Sequence, residues 1–151
     1  MSVRSLCHRR AGAFALLFAL ALGVALVPPA AAQNAIAAAD RAEFQKVILE
    51  QLGAFRRDDG AAAFALAAPG IRETFGTPET FMDMVRQGYQ PVYRPQTFEF
   101  GDASVGPHGP EQRVFVVGPD GRDYIAVYPM ERQPDGRWLV NGCLLKRPES
   151  V

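Results

Sequence analysis

Gly88-Tyr89-Gln90-Pro91-Val92-Tyr93-Arg94-Pro95 divides this chain into two unlike halves. Before it, apolar residues recur at helical spacing; after it, they alternate with a period of two. Proline holds φ at roughly −65° and pushes the residue before it out of the α region. Pro91 and Pro95 therefore predict an extended connector, with Gln90 and Arg94 both extended. Two tyrosines and an arginine in so stiff a segment make Tyr89, Tyr93 and Arg94 candidates for ligand contact.

Working back from this connector, Thr77-Pro78-Glu79 reads as a helix start, with a hydroxyl cap, a proline in the first turn and an acid at the positive end of the dipole. Phe81, Met82 and Val85 supply its buried face, and Gly88 reads as a left-handed stop. Ile71 to Gly76 reads as a connector. Ala61 to Ala68 reads as a short alanine-rich helix closed by Pro69-Gly70, with Asp58 or Asp59 as its cap. The first helix starts at Asp40, with Glu43 as the second half of a capping box. Phe44, Val47, Ile48, Leu52 and Phe55 form its apolar stripe.

Working forward, Phe98 and Phe100 alternate with Thr97 and Glu99, and Gly106 to Pro110 reads as a turn. Arg113 to Val117 is a second strand. Gly118-Pro119-Asp120-Gly121 and Gln133-Pro134-Asp135-Gly136 are hairpin signals on either side of a third, Arg122 to Met130. Trp138 to Leu145 is the last. Pro129 cannot donate to a ladder and marks an edge or a bulge. Three helices followed by a four-stranded antiparallel meander predict an α+β domain, with the helices on one face of a curved sheet. Apolar residues on both faces of the third and last strands predict that the second face is partly covered as well, by a homodimer or by a long loop.

The chain opens with Arg4, Arg9 and Arg10, an apolar run from Ala11 to Val27, and Pro28-Pro29-Ala30-Ala31-Ala32. A basic start, an apolar middle and a small-residue ending describe a secretory signal peptide, cleaved after Ala32. The rival is an anchor helix, but the run of 17 residues from Ala11 to Val27 falls short of the ~20 needed to span a bilayer. Residues 1–32 are thus read as a signal, 33–39 as a flexible lead-in and 40–148 as one domain in the periplasm or outside the cell, with no membrane contact after cleavage. Loss of the three arginines leaves 13 basic against 16 acidic residues, a formal charge of −3, which argues against nucleic acid as a partner. Cys7 goes with the signal. Cys143 is then alone, reads as a buried inert thiol and leaves stability to packing.

Three runs carry a family resemblance: Ala54-Phe55-Arg56-Arg57-Asp58-Asp59, Ala67-Ala68-Pro69-Gly70-Ile71-Arg72 and Tyr89-Gln90-Pro91-Val92-Tyr93-Arg94-Pro95. They resemble a secreted bacterial family known as a domain of unknown function, and YxPVYRP is the most specific part. The order of helices and strands is also similar to the SnoaL-like, or nuclear-transport-factor-two-like, cone fold. The first likeness implies no catalytic residues. The second implies a pocket between helices and sheet.

Enzymes of that cone fold pair a carboxylate base with a tyrosine or second acid, so Asp83 and Asp102, with Tyr89 or Tyr93, are the catalytic candidates. Arg72 and Arg94 could hold an anion by bidentate contacts. His108 lies in a Gly-Pro turn and, with Cys143 distant in sequence, makes no metal site. Neither a nucleophile elbow nor a phosphate loop is present. The expected function is a cofactor-free accessory module that binds a small molecule or a periplasmic protein. The rival is a small isomerase- or lyase-like enzyme without a cofactor.

Overall fold

The computed structural model describes residues 36–148. The signal segment at 1–32, Cys7 and the first residues of the lead-in lie outside them. Five helices come first: α1 (Ala38–Arg56), α2 (Gly60–Ala65), α3 (Pro69–Phe75), α4 (Pro78–Gly88) and α5 (Gln90–Tyr93). Five strands follow: β1 (Thr97–Gly106), β2 (Gly109–Val117), β3 (Asp123–Arg132), β4 (Trp138–Val140) and β5 (Leu144–Lys146). All strand pairs in this sheet are antiparallel, in the order β1-β2-β3, with β4 and β5 end to end along the far edge of β3. The fold class is α+β.

α1 carries the core. Phe44, Ile48, Leu52 and Phe55 are at most 3% exposed and meet the inward rows of the sheet: Val114 and Val116 from β2, and Ala126, Tyr128 and Met130 from β3. At its start α1 is tied to the last hairpin. The Trp138 ring meets Phe44 edge-on at 4.7 Å, and Trp138 Nε1 donates to Asp40 Oδ1 at 3.0 Å. Asp40 is therefore not the cap the sequence predicts. The helix begins at Ala38, and the Asp40 carboxylate is taken by the indole. Asp59 does cap α2 through Ala62 N, and Thr77 caps α4 through Thr80 N.

Two further local expectations are corrected. Pro69-Gly70 opens a helix instead of closing one, because proline in the first turn leaves unmade only a bond that the helix start lacks anyway. α3 ends on Gly76 at φ 71°, where glycine tolerates the left-handed backbone. The connector after Gly88 is not extended throughout. Gly88 stays helical, Tyr89 breaks the helix, and Gln90 to Tyr93 form one turn. Pro91 sits in that first turn, and the lone turn closes through Tyr93 N to Tyr89 O and Arg94 N to Gln90 O. Arg94, before Pro95, leaves the helical region at φ −136° and ψ 60°.

Pro129 behaves as its missing N–H requires. Opposite it the last strand breaks, so β4 pairs Met130 to Arg132 and β5 pairs Ile125 to Val127. Asn141-Gly142-Cys143 bulges between them, held by Asn141 N donating to Pro129 O at 2.8 Å. Gly142 sits at φ 137°, a conformation that favours glycine. The outer edge of β4 is covered by the α2–α3 link, through Val140 N to Leu66 O and Ala68 N to Val140 O.

Asp40→Ala should cost about 1 kcal/mol, since it leaves the half-buried indole N–H without its acceptor. Glu43→Ala, which touches only an exposed lysine at 4.0 Å, should stay within about 0.5 kcal/mol. Urea unfolding followed by the fluorescence of the only tryptophan in the sequence compares the two.

Candidate functional site

The wedge between helices and sheet does not fill completely. A cavity of about 290 Å³ remains, walled by Phe55 of α1, Ile71 and Phe75 of α3, Phe81, Met84 and Val85 of α4, and Val92 of α5. Its floor is Tyr128 of β3, Val140 of β4 and the bulge residues Gly142 and Cys143. Among the described residues no Asp, Glu, Lys, Arg or His lines it. Polar character comes from Gln51, Tyr89, Tyr128 and Cys143, and from the backbone. Bulge and cavity are linked: by breaking the last strand, Pro129 allows the chain to turn Gly142 and Cys143 toward the helices.

The polar groups divide by exposure. Tyr89, partly exposed, lies toward solvent, whereas Gln51 and Tyr128 are 3% and 1% exposed and form the inner end. Gln51 Nε2 donates to Ala63 O at 3.1 Å, which fixes the amide. Among the described residues the fully buried Tyr128 hydroxyl has no nitrogen or oxygen partner. The Cys143 thiol, a weak donor and acceptor, lies beside it and is its nearest polar neighbour for a weak hydrogen bond. Burial pushes the Tyr128 phenol well above its ordinary pKa and the Cys143 thiol up to about 12. The Tyr89 phenol is also raised, by burial first and then by the neighbouring thiol. At neutral pH all three keep their protons and stay neutral.

The other candidates lie elsewhere. Tyr93 and Arg94 join a cluster at the end of α1, where Asp58 sits in the left-handed region at φ 56°. Tyr93 Oη donates to Asp58 Oδ1, Arg94 Nη2 donates to Asp58 Oδ2 at 2.7 Å, and Arg94 Nη1 donates to Phe55 O. The Arg94 guanidinium also lies 4.0 Å from the Tyr93 ring centre. Arg86 of α4 completes the group through Tyr93 Oη at 3.4 Å and Asp58 at 3.9 Å. The specific YxPVYRP run thus ties the connector to the end of α1. It shores the cavity wall from behind, at Phe55 and Val92. The Tyr93 hydrogen bond, with help from the Arg94 and Arg86 charges, holds the Asp58 carboxyl below its ordinary range.

Asp83 is exposed and paired with Arg86 at 3.1 Å, on the outer side of α4. Asp102 is exposed at a bulge in β1, where buried Gln112 fills the turn by donating to Gly101 O at 2.9 Å. Arg72 is exposed on α3, beside a shallow depression with Glu73 and Gly76. Of the residues singled out in the sequence as site candidates, the structure brings only Tyr89 to the cavity, and it brings neither carboxylate there. His108 is exposed in the β1–β2 turn. Among the described residues no three His, Cys, Asp or Glu side chains group as a metal site would require, and no helix is long and apolar enough to cross a membrane.

Sequence reasoning passed over Gln51 and Tyr128 as site residues. Gln51 left a signal: it is a polar residue on the apolar stripe of α1, one turn after Val47 and Ile48. Tyr128 stands in the inward row of β3, but nothing in the sequence shows that its hydroxyl lacks a nitrogen or oxygen partner.

Fold and site together define an α+β domain with an uncharged cavity between its helices and its sheet. Residues 37–151 match the family described as Domain of unknown function (DUF4864), and the chain belongs to that family. No curated protein and no solved structure matches it.

Two measurements follow from this geometry. A carboxyl with a depressed folded-state pKa stabilises fully above its unfolded value of about 4 and loses that contribution as pH falls through the folded value. Thermal midpoints of the wild type should therefore fall below pH about 4 more steeply than those of Asp58→Asn, which keeps a residue tolerant of positive φ. Cys143, in a Cys7→Ser chain at pH about 8, should react with iodoacetamide roughly a thousand-fold more slowly folded than unfolded, because so little thiolate forms.

Proposed function

We propose that this chain is a secreted or periplasmic binding module that holds a small apolar molecule in the cavity between its helices and sheet, without a cofactor. The single observation that carries the reading is the cavity itself: about 290 Å³, with no charged side chain among the described residues that line it. An apolar cavity of about 150 Å³ holds benzene, so this one suits a ligand of roughly a dozen non-hydrogen atoms. The secreted address rests on the basic, apolar and small-residue pattern of residues 1–32.

An isomerase- or lyase-like reaction would need a base within reach of the bound molecule. Asp83 and Asp102 do not line the cavity, which favours binding over chemistry. A second copy or another periplasmic protein would meet the outer face of the sheet, where Phe115 and Leu144 are 45% and 43% exposed. Those are two side chains, whereas the cavity is a concave apolar site walled by helices and sheet together.

Native mass spectrometry of mature protein recovered from the periplasm should show a co-purifying small molecule. Ile71→Trp places a large ring at the partly exposed side of the cavity. It should remove that added mass and weaken binding of a fluorescent apolar probe at least tenfold, while the thermal midpoint moves by only a few degrees. A wild-type protein that carries no ligand and takes up no probe would sink the reading.

A further inference from the structure

Gln51 is a polar side chain on the apolar stripe of α1, 3% exposed, and it lines the cavity. One half of its amide has an evident task. Nε2 donates at 3.1 Å to Ala63 O, a carbonyl near the end of α2 that Ala67 N passes over in favour of Phe64 O. A carbonyl only accepts, so this bond fixes which end of the amide is nitrogen and which is oxygen. The other half has no such task. Among the described residues no N–H or O–H donates to Gln51 Oε1. The fully buried side-chain oxygens without a nitrogen or oxygen partner are Gln112 Oε1 and Tyr128 Oη. Gln51 Oε1 is not sealed as they are, so it keeps accessible surface, and the space its residue lines is the cavity. A fixed acceptor thus stands in mostly apolar walls with nothing to accept from. A ligand that covers Oε1 without donating to it takes a carbonyl out of water uncompensated.

We infer that the cavity selects a neutral, mostly apolar molecule carrying a hydroxyl, an alcohol or a phenol, whose O–H donates to Gln51 Oε1. This rests on the binding reading above and adds the chemical class of the ligand. A hydroxyl oxygen also accepts, so it can take a hydrogen bond from the second Nε2 N–H or from the Cys143 thiol. A ketone, ester or ether only accepts and leaves Oε1 unpaired. An ammonium group donates, but carries its charge into walls where no described residue offers a counter-charge.

Para-propylphenol, para-propyltoluene and para-propylanisole form a matched set for calorimetry: the first donates and accepts, the second does neither, and the third only accepts. The phenol should bind about five- to tenfold more tightly than the other two, the gain of one net hydrogen bond. In isotopically labelled wild-type protein, the side-chain amide carbon of Gln51 should resonate further downfield in the phenol complex than in the toluene complex. Gln51→Met should remove the preference and leave the affinity for the toluene nearly unchanged. Its thermal midpoint should fall by a few degrees, because Ala63 O loses its donor. If the toluene or the anisole binds as well as the phenol, and the Gln51 carbon is alike in all complexes, the hydroxyl inference is overturned while the apolar-binding reading survives. The wild-type complexes decide this without the variant. A phenol preference that persists in Gln51→Met places the hydroxyl on another group and overturns the inference too. If no member of the set binds, the binding reading fails and the inference fails with it.

Discussion

Burial of one aromatic and aliphatic stripe, Phe44, Ile48, Leu52 and Phe55 on α1, is the interaction on which the rest of the molecule depends. A helix of 19 residues has little independent stability in water, and it persists because that stripe leaves solvent against the inward rows of β2 and β3. Both of its ends are then tied by polar contacts to distant parts of the chain. Asp40 receives the indole of Trp138 from the last hairpin, and the Asp58 turn receives Tyr93 and Arg94 from the connector. Docked this way, α1 sets how far the shorter helices stand from the sheet. The cavity lies in the gap that remains.

That gap has a chemical character set by two prolines. Pro129 interrupts the ladder between the middle strand and the last one, and the resulting bulge brings Gly142 and Cys143 to the floor of the cavity. Pro91 confines the connector to a single turn, which places Val92 in the wall while Tyr93 and Arg94 turn away to Asp58. Neighbouring residues of one motif therefore take different tasks. Polar groups of the connector brace the domain, and its valine meets the cavity.

The same geometry explains why the inner end stays neutral. Tyr128 is buried and Cys143 is partly so, and burial disfavours their ionised forms. Ionised carboxylates and guanidinium groups remain at the outer surface, where Asp58, Asp83, Arg86 and Arg94 satisfy one another.

Much of the fold was legible from residue order alone, because it rests on local rules. The stripe of α1, the Thr77-Pro78 helix start, the hairpins at Pro119-Asp120-Gly121 and Pro134-Asp135-Gly136, and the break opposite Pro129 all follow from spacing, capping and backbone chemistry that act within a few residues. The same locality misled where two local rules compete. Pro69-Gly70 can stop one helix or start another, and only packing of Ile71 and Phe75 along the cavity chose the second. Asp40 can cap a helix or accept from an indole 98 residues away, and the docked Trp138 decided between them. The site was the least legible part. Tyr89 was nameable from the connector, but Gln51, Tyr128 and Cys143 become one site only when a helix, a strand and a bulge meet across the core. Sequence by itself determined the long first helix, the Thr77-Pro78 helix, the hairpins and which of their faces are apolar, since those are properties of single segments. Tertiary structure decided where the segments fail to fill space and which buried hydroxyl is left without a nitrogen or oxygen partner, since both depend on distances between segments far apart in the chain.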